Sequence, residues 1–154
     1  MEQALPRLTR EDIHLLHGKM QLGRVKPEQA LVREGQPPLG LFIIREGAVL
    51  VQRNVNSYAI TVATLKAGDM FGETAFISPT PHPATATVVA TDETDVIVLT
   101  PARLNPLFEE HPGLFGRFFQ SLAPTLSRRL RAYNEQAGGG EDYRFGDIPS
   151  WEIL

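Results

Sequence analysis

The tightest constraint on this chain lies between residues 20 and 100, where short apolar and β-branched runs recur roughly every eight to twelve residues with turn-forming sequence between them. The runs are "ALVRE", "GLFIIRE", "AVLVQRN", "YAITVATL", "TATVVAT" and "DVIVLT"; the breaks are "EGQPPLG", "REGA", "NVNS", "KAGD" and "TDETD". No helical stretch of crossover length separates them, which points to an antiparallel sandwich or barrel with a jelly-roll-like middle. Gly35, Gly47 and Gly68 fall where the chain must reverse, and glycine takes positive φ without a Cβ clash.

Helices flank this middle. Thr9 as N-cap with Asp12 three residues later predicts a helix over residues 9 to 19, ended by Gly18 or Gly23. After Thr100 the period changes: "PARLNPLFEEH" reads as a helix begun by Pro101 and broken by Pro112. A second helix over residues 113 to 134 carries Leu114, Phe115, Phe118, Phe119, Leu122, Leu126, Leu130 and Tyr133 at spacings of three and four, with Pro124 expected to bend it. With 154 residues and 42% hydrophobic content, one core is expected, over residues 1 to 134. Residues 135 to 154 form a glycine linker and an acidic tail bearing Tyr143, Phe145, Trp151, Ile153 and Leu154. That tail reads either as a solvated end or as a segment that folds back on the basic helix or meets another protein. The linker and its aromatic ending suggest a natural terminus.

The composition excludes several classes. There is no cysteine, hence no disulfide, thiolate metal site or cysteine nucleophile. A net charge of -3 gives no global attraction to nucleic acid or anionic membrane. No run approaches the roughly 20 apolar residues of a bilayer span, and the early charges Glu2, Arg7, Arg10, Glu11 and Asp12 do not fit a signal peptide, so a cytoplasmic protein is expected. The strands contain no histidine, and no serine–histidine or paired-acid arrangement stands out, so neither catalysis nor a metal centre is expected. His14 and His17 stand three apart on the first helix without a nearby acid and read as surface or packing residues; His111 reads as a helix end.

Two blocks carry a resemblance. "VREGQPPLGLFIIREGAVLV" and "LKAGDMFGETAF", followed in order by "ATATVVATDETDVIVL", are similar to the cyclic-nucleotide-binding domain family, which includes catabolite-activator-type sensors, regulatory subunits of the cAMP-dependent kinase and gated channels. The likeness runs from about residue 9 to residue 134. It implies a mainly β fold: an antiparallel jelly-roll barrel with an N-terminal helix, a short cassette helix and two C-terminal helices. It implies a phosphate-binding cassette beginning at Phe71, Gly72, Glu73, Thr74 and Ala75, with the Glu73 carboxylate accepting a hydrogen bond from a ribose 2′-hydroxyl. A second reading of Glu73, as the cap of its own short helix, stays open.

The resemblance also places the family's cassette arginine on Ala84, with Thr85 beside it and Thr87 at the start of the next strand. Alanine donates nothing to the permanent anion of a cyclic phosphate, and the lost contact is worth roughly 2–3 kcal/mol, about 30- to 150-fold in affinity. His82, Arg45 and Arg53 are candidate substitutes, and Pro79, Pro81 and Pro83 stiffen the loop. Thr85 and Thr87 also read as ordinary strand residues.

The expected function is a non-catalytic regulatory module, holding cAMP or cGMP at low affinity if at all and acting through a protein partner at its C-terminal helix or tail. Phe115, Phe118, Phe119, Leu122, Leu126 and Leu130 suggest a homodimer along that helix. Arg117, Arg128, Arg129 and Arg131 make the helix basic, but only about twenty residues follow it, too few for a helix-turn-helix region, so direct sequence-specific DNA binding is not expected. Two alternatives remain: a genuine second-messenger sensor, and the sensor half of a larger DNA-binding regulator.

Overall fold

Thr9 starts the first helix as its sequence predicts. In the computed structural model, which describes residues 1–77 and 80–137 apart from the side chains of Leu130 and residues 132–137, α1 (Arg10–His17) opens with a full capping box. The Asp12 amide donates to the Thr9 hydroxyl at 3.1 Å, and the Thr9 amide donates to the Asp12 carboxylate at 2.9 Å. Gly18 closes the helix.

Eight strands follow among the described residues: β1 (Gln21–Val25), β2 (Ala30–Val32), β3 (Leu41–Glu46), β4 (Ala48–Val55), β5 (Tyr58–Lys66), β6 (Met70–Phe71), β7 (Thr87–Ala90) and β8 (Thr94–Leu99). A short helix, α2 (Thr74–Ile77), stands between β6 and β7. The strands form two four-stranded sheets, ordered β1-β8-β3-β6 and β2-β7-β4-β5, with antiparallel neighbours throughout. The expected barrel is therefore realised as a two-sheet jelly roll. Two strands beyond the expected six runs are present. β1 is interrupted by Gly23 and β6 is two residues long, so neither produces the alternation by which a strand is recognised.

The sheets meet through alternate side chains. Val32, Val49 and Val88 of one sheet pack with Phe42, Ile44, Phe71, Val96 and Val98 of the other, and each buried aliphatic side chain contributes about 1.5–3 kcal/mol. α3 (Pro101–Glu110) and α4 (Pro112–Ala137) follow, separated at His111, and α4 runs unbroken through Pro124. Two compact units are distinguished, Met1–Ser121 and Leu122 onward, so the boundary falls within α4.

Candidate functional site

β6 delivers the start of the cassette. Its Phe71 pairs with Phe42 of β3, and the two rings stack at 4.9 Å with 6° between their planes. Gly72 then turns at φ +80°, and a Cβ there would stand 2.3 Å from the Gly40 carbonyl oxygen. No other residue fits that backbone unchanged. Glu73 comes next, 7% exposed, and it is engaged within the chain. α2 follows at once: the Ala75 amide donates to the Gly72 carbonyl at 3.1 Å and the Phe76 amide to the Glu73 carbonyl at 3.0 Å. Thr74 is exposed and Ala75 half-buried.

The far end of the cassette is held differently. Ala84 is half-buried and packs on the inter-sheet core. Its amide donates to the Gln36 carbonyl and its carbonyl accepts from the Gly35 amide, both at 2.8 Å. Thr87, on β7, accepts a hydrogen bond from the Glu34 amide at 3.0 Å, while the Glu34 carboxylate accepts from the Asn54 amide at 3.0 Å. The Thr87 hydroxyl is thus used in joining β7 to the β2–β3 connection, as its strand reading expects. His82, Pro81, Pro83 and Thr85 are exposed; Pro79 lies outside the described residues.

The other candidate cations sit on different strands. Arg45 is exposed at the end of β3, beside a shallow depression of about 240 Å³ that it lines with Leu22, Gly23, Arg24, Asp95 and Val96. The Asp95 carboxylate there is held below the usual carboxylate range by its hydrogen bond to Arg24, opposed in part by desolvation, with the charges of Arg24 and Arg45 adding to the lowering. Arg53 is half-buried on β4, one residue beyond the Gln52↔Thr87 pair.

α2 is tied to the helices by aromatic edges. Phe76 meets Phe118 at 5.1 Å and Phe108 at 6.4 Å, both nearly edge-on, and Phe108 continues to Phe115 at 5.5 Å. Edge-to-face pairs of this kind add about 0.5–1.5 kcal/mol each beyond burial. α1 is fixed to the first part of α4 by Asp12 and Arg117, whose guanidinium makes two hydrogen bonds to the carboxylate, at 2.5 and 2.8 Å. Arg117 lowers the Asp12 pKa to about 2 against the opposing effect of burial, with the Thr9 bonds assisting. One of the four arginines of the basic helix is therefore committed inside the fold. No sequence signal marks this pair, because its members are 105 residues apart.

The predicted dimer stripe divides. Phe118 and Leu122 are fully buried within the single chain, so they are not the surplus apolar surface that their spacing suggests. Phe115 is 49% exposed, and Phe119 and Leu126 are half-buried. The side chain of Leu130 and the tail residues Tyr143, Phe145, Trp151, Ile153 and Leu154 lie outside the described residues. His14 and His17 are exposed, and His111 caps α3 as expected. Among the described residues no group of three metal-ligating side chains is assembled, and no helix is long and apolar enough to cross a membrane.

Known proteins of this kind were found by sequence and by shape. The sequence profile described as "Cyclic nucleotide-binding domain" matches residues 22–111. Cyclic GMP-binding protein C of Dictyostelium discoideum is 28% identical over 132 residues, which is 80% of this chain and 5% of that protein. The chain thus spans only 5–6% of the length of the curated relatives it matches. Among solved structures, a cyclic nucleotide-binding domain from Methylobacillus flagellatus KT is 25% identical with a TM-score of 0.80, covering 94% of this chain and 85% of that one. The N-terminal domain of a transcriptional regulator from Streptomyces coelicolor A3(2) is also 25% identical, with a TM-score of 0.70 and coverage of 91% and 94%.

Proposed function

Because the chain belongs to the cyclic nucleotide-binding domain family, we propose that it is a non-catalytic regulatory module whose pocket holds cAMP or cGMP weakly or not at all, and which acts in the cytoplasm as a dimer on a protein partner. The observation that carries this reading is Ala84. By the family resemblance it stands where the ligand's anion is gripped, and its methyl group packs on the core with its backbone bonded on both sides. Neither group supplies a charge. A cyclic phosphate brought there gives up water without a guanidinium from the cassette to replace it, a loss of about 2–3 kcal/mol in affinity. Titration calorimetry with cAMP and with cGMP tests this: dissociation constants of ~0.1 mM or weaker agree with it, and ~1 μM binding refutes it.

The dimer and the partner rest on exposed apolar surface. Phe115 offers an uncovered ring on α4, beside the half-buried Phe119. Sedimentation of Phe115→Asp checks it: the account expects dissociation to monomer, and an unchanged dimer removes α4 as the interface. Deletion of residues 138 to 154 tests the tail, through thermal stability and partner capture; no change in either removes the tail from the proposal.

A second reading, a genuine second-messenger sensor, is favoured by the start of the cassette. Glu73 is buried at the turn where the resemblance expects a ribose partner, and α2 is linked through Phe76 to α3 and α4, so a ligand that shifted α2 would be felt by the helices. The curated relatives are named as cyclic GMP-binding proteins, which suits this reading. Wild-type affinity decides between the two.

A further inference from the structure

We propose that Arg53, on strand β4, supplies the positive charge to whatever singly anionic nucleotide enters the pocket, so that the cation of the site has moved from the cassette to the neighbouring strand. The inference rests on the reading of the Glu73–Ala84 region as the ligand pocket. Its starting point is the register of β4. Against β7 the strand is regular: Val49 faces Ala90, Val51 faces Val88 and Gln52 faces Thr87. Val49 and Val88 belong to the inter-sheet core, and Val51 packs against it. Side chains alternate along a strand, so Arg53 follows Val49 and Val51 on the inward face. The irregularity beside Val51 does not alter this. The extra residue lies on β5, where Val62 falls between the partners Thr61 and Ala63, and β4 keeps its phase.

Ala84 reaches the same face from the other side. It packs on the same core cluster, three residues before Thr87, which is the partner of Gln52. Ala84 precedes β7 and is bridged to Glu34, whose carboxylate accepts from the amide of Asn54, the residue after Arg53, so the end of β4 and the Ala84 position meet at one residue. Arg53 thus enters the rim of the pocket beside the position that lacks a guanidinium. It is half-buried, and its side chain makes no hydrogen bond or ion pair with a described residue. The Glu34 carboxylate spends one oxygen on the Asn54 amide. In contrast Arg24 and Arg117 are committed to acids. The ligand class that fits is a nucleotide with one negative charge and a free sugar hydroxyl for Glu73, seated with its anion toward β4. Arginine is suited to that contact because its planar fork binds two phosphate oxygens at once.

The test is an NMR titration of the full chain with cAMP and with cGMP, in wild type, Arg53→Leu, Arg53→Lys, Ala84→Arg and the Arg53→Leu/Ala84→Arg double variant. Wild type is expected to show saturable shifts with a dissociation constant of ~0.1–1 mM that weakens with added salt. Arg53→Leu should weaken it at least about tenfold, Arg53→Lys should recover part of the loss, and the double variant should bind again. Equal affinities in wild type and Arg53→Leu overturn the inference, as does the absence of any saturable shift in wild type. If Ala84→Arg binds cAMP while Arg53→Leu changes nothing, only the role of Arg53 falls. If Ala84→Arg also fails to bind, the pocket reading falls and takes Arg53 with it. Matching amide spectra of wild type and each variant without ligand separate lost contact from lost fold.

Discussion

The two ends of the cassette segment are fixed by different physics. At Gly72 the constraint is steric and internal: positive φ and a carbonyl oxygen 2.3 Å from where a Cβ would stand leave room for glycine alone, whatever the pocket holds. At Ala84 the backbone is bonded on both sides, but the side chain rests on the core at half-burial, where its identity is open to change. The lesson concerns what each residue can testify to. Gly72 is required by the fold and says nothing about a ligand, whereas position 84 carries no such steric demand, which is why the proposed loss of the ligand's guanidinium rests on it.

That contrast predicts unequal responses. Gly72→Ala should cost the most, about 3–5 kcal/mol of stability, from backbone strain plus the clash with Gly40. Chemical denaturation checks it, and a loss below ~1 kcal/mol would mean the turn tolerates side chains after all. Asp12→Asn, far from the cassette in sequence, calibrates an internal contact of another kind. It should cost about 2–3 kcal/mol, less than a fully buried pair because Arg117 is 39% exposed. It also carries a pH signature. Asp12 has a lowered folded pKa of about 2, so its stabilisation is present above the ordinary value of 3.8 and is lost as pH falls from there through about 2. Melting temperatures taken across that interval should fall more steeply for wild type than for Asp12→Asn; parallel curves would deny the ion pair its role.

Smaller effects belong to the far end of the cassette. Thr87→Val removes the acceptor for the Glu34 amide and should cost about 1 kcal/mol. Thr85→Val, on an exposed side chain, should stay within about 0.5 kcal/mol. If Thr85→Val matched or exceeded Thr87→Val, the assignment of the structural hydroxyl to Thr87 would be reversed.

Much of this architecture was legible in the chain. The six long strand runs, the capping box at Thr9 and Asp12, the break at His111 and Pro112, and the turns at Gly35, Gly47 and Gly68 all depend on neighbours in sequence. What sequence could not supply was long-range. β1 and β6 are defined by their partners β8 and β3; Arg117 meets Asp12 only after folding; Phe118 and Leu122 look like spare surface until the chain covers them. Gly40 gave no sign of its role, which exists only because the Leu99 backbone comes to lie against it. The site was half legible for the same reason. Glu73 and Ala84 could be named as candidates through the family resemblance, but the inward phase of Arg53 follows only from the pairing of β4 with β7.

The most direct test of the central claim is calorimetric titration of cAMP into wild type and Ala84→Arg side by side. The account predicts a wild-type dissociation constant of ~0.1 mM or weaker and a gain of about 30- to 150-fold on restoring the guanidinium. Wild-type binding at ~1 μM or tighter, left unchanged by Ala84→Arg, would contradict it.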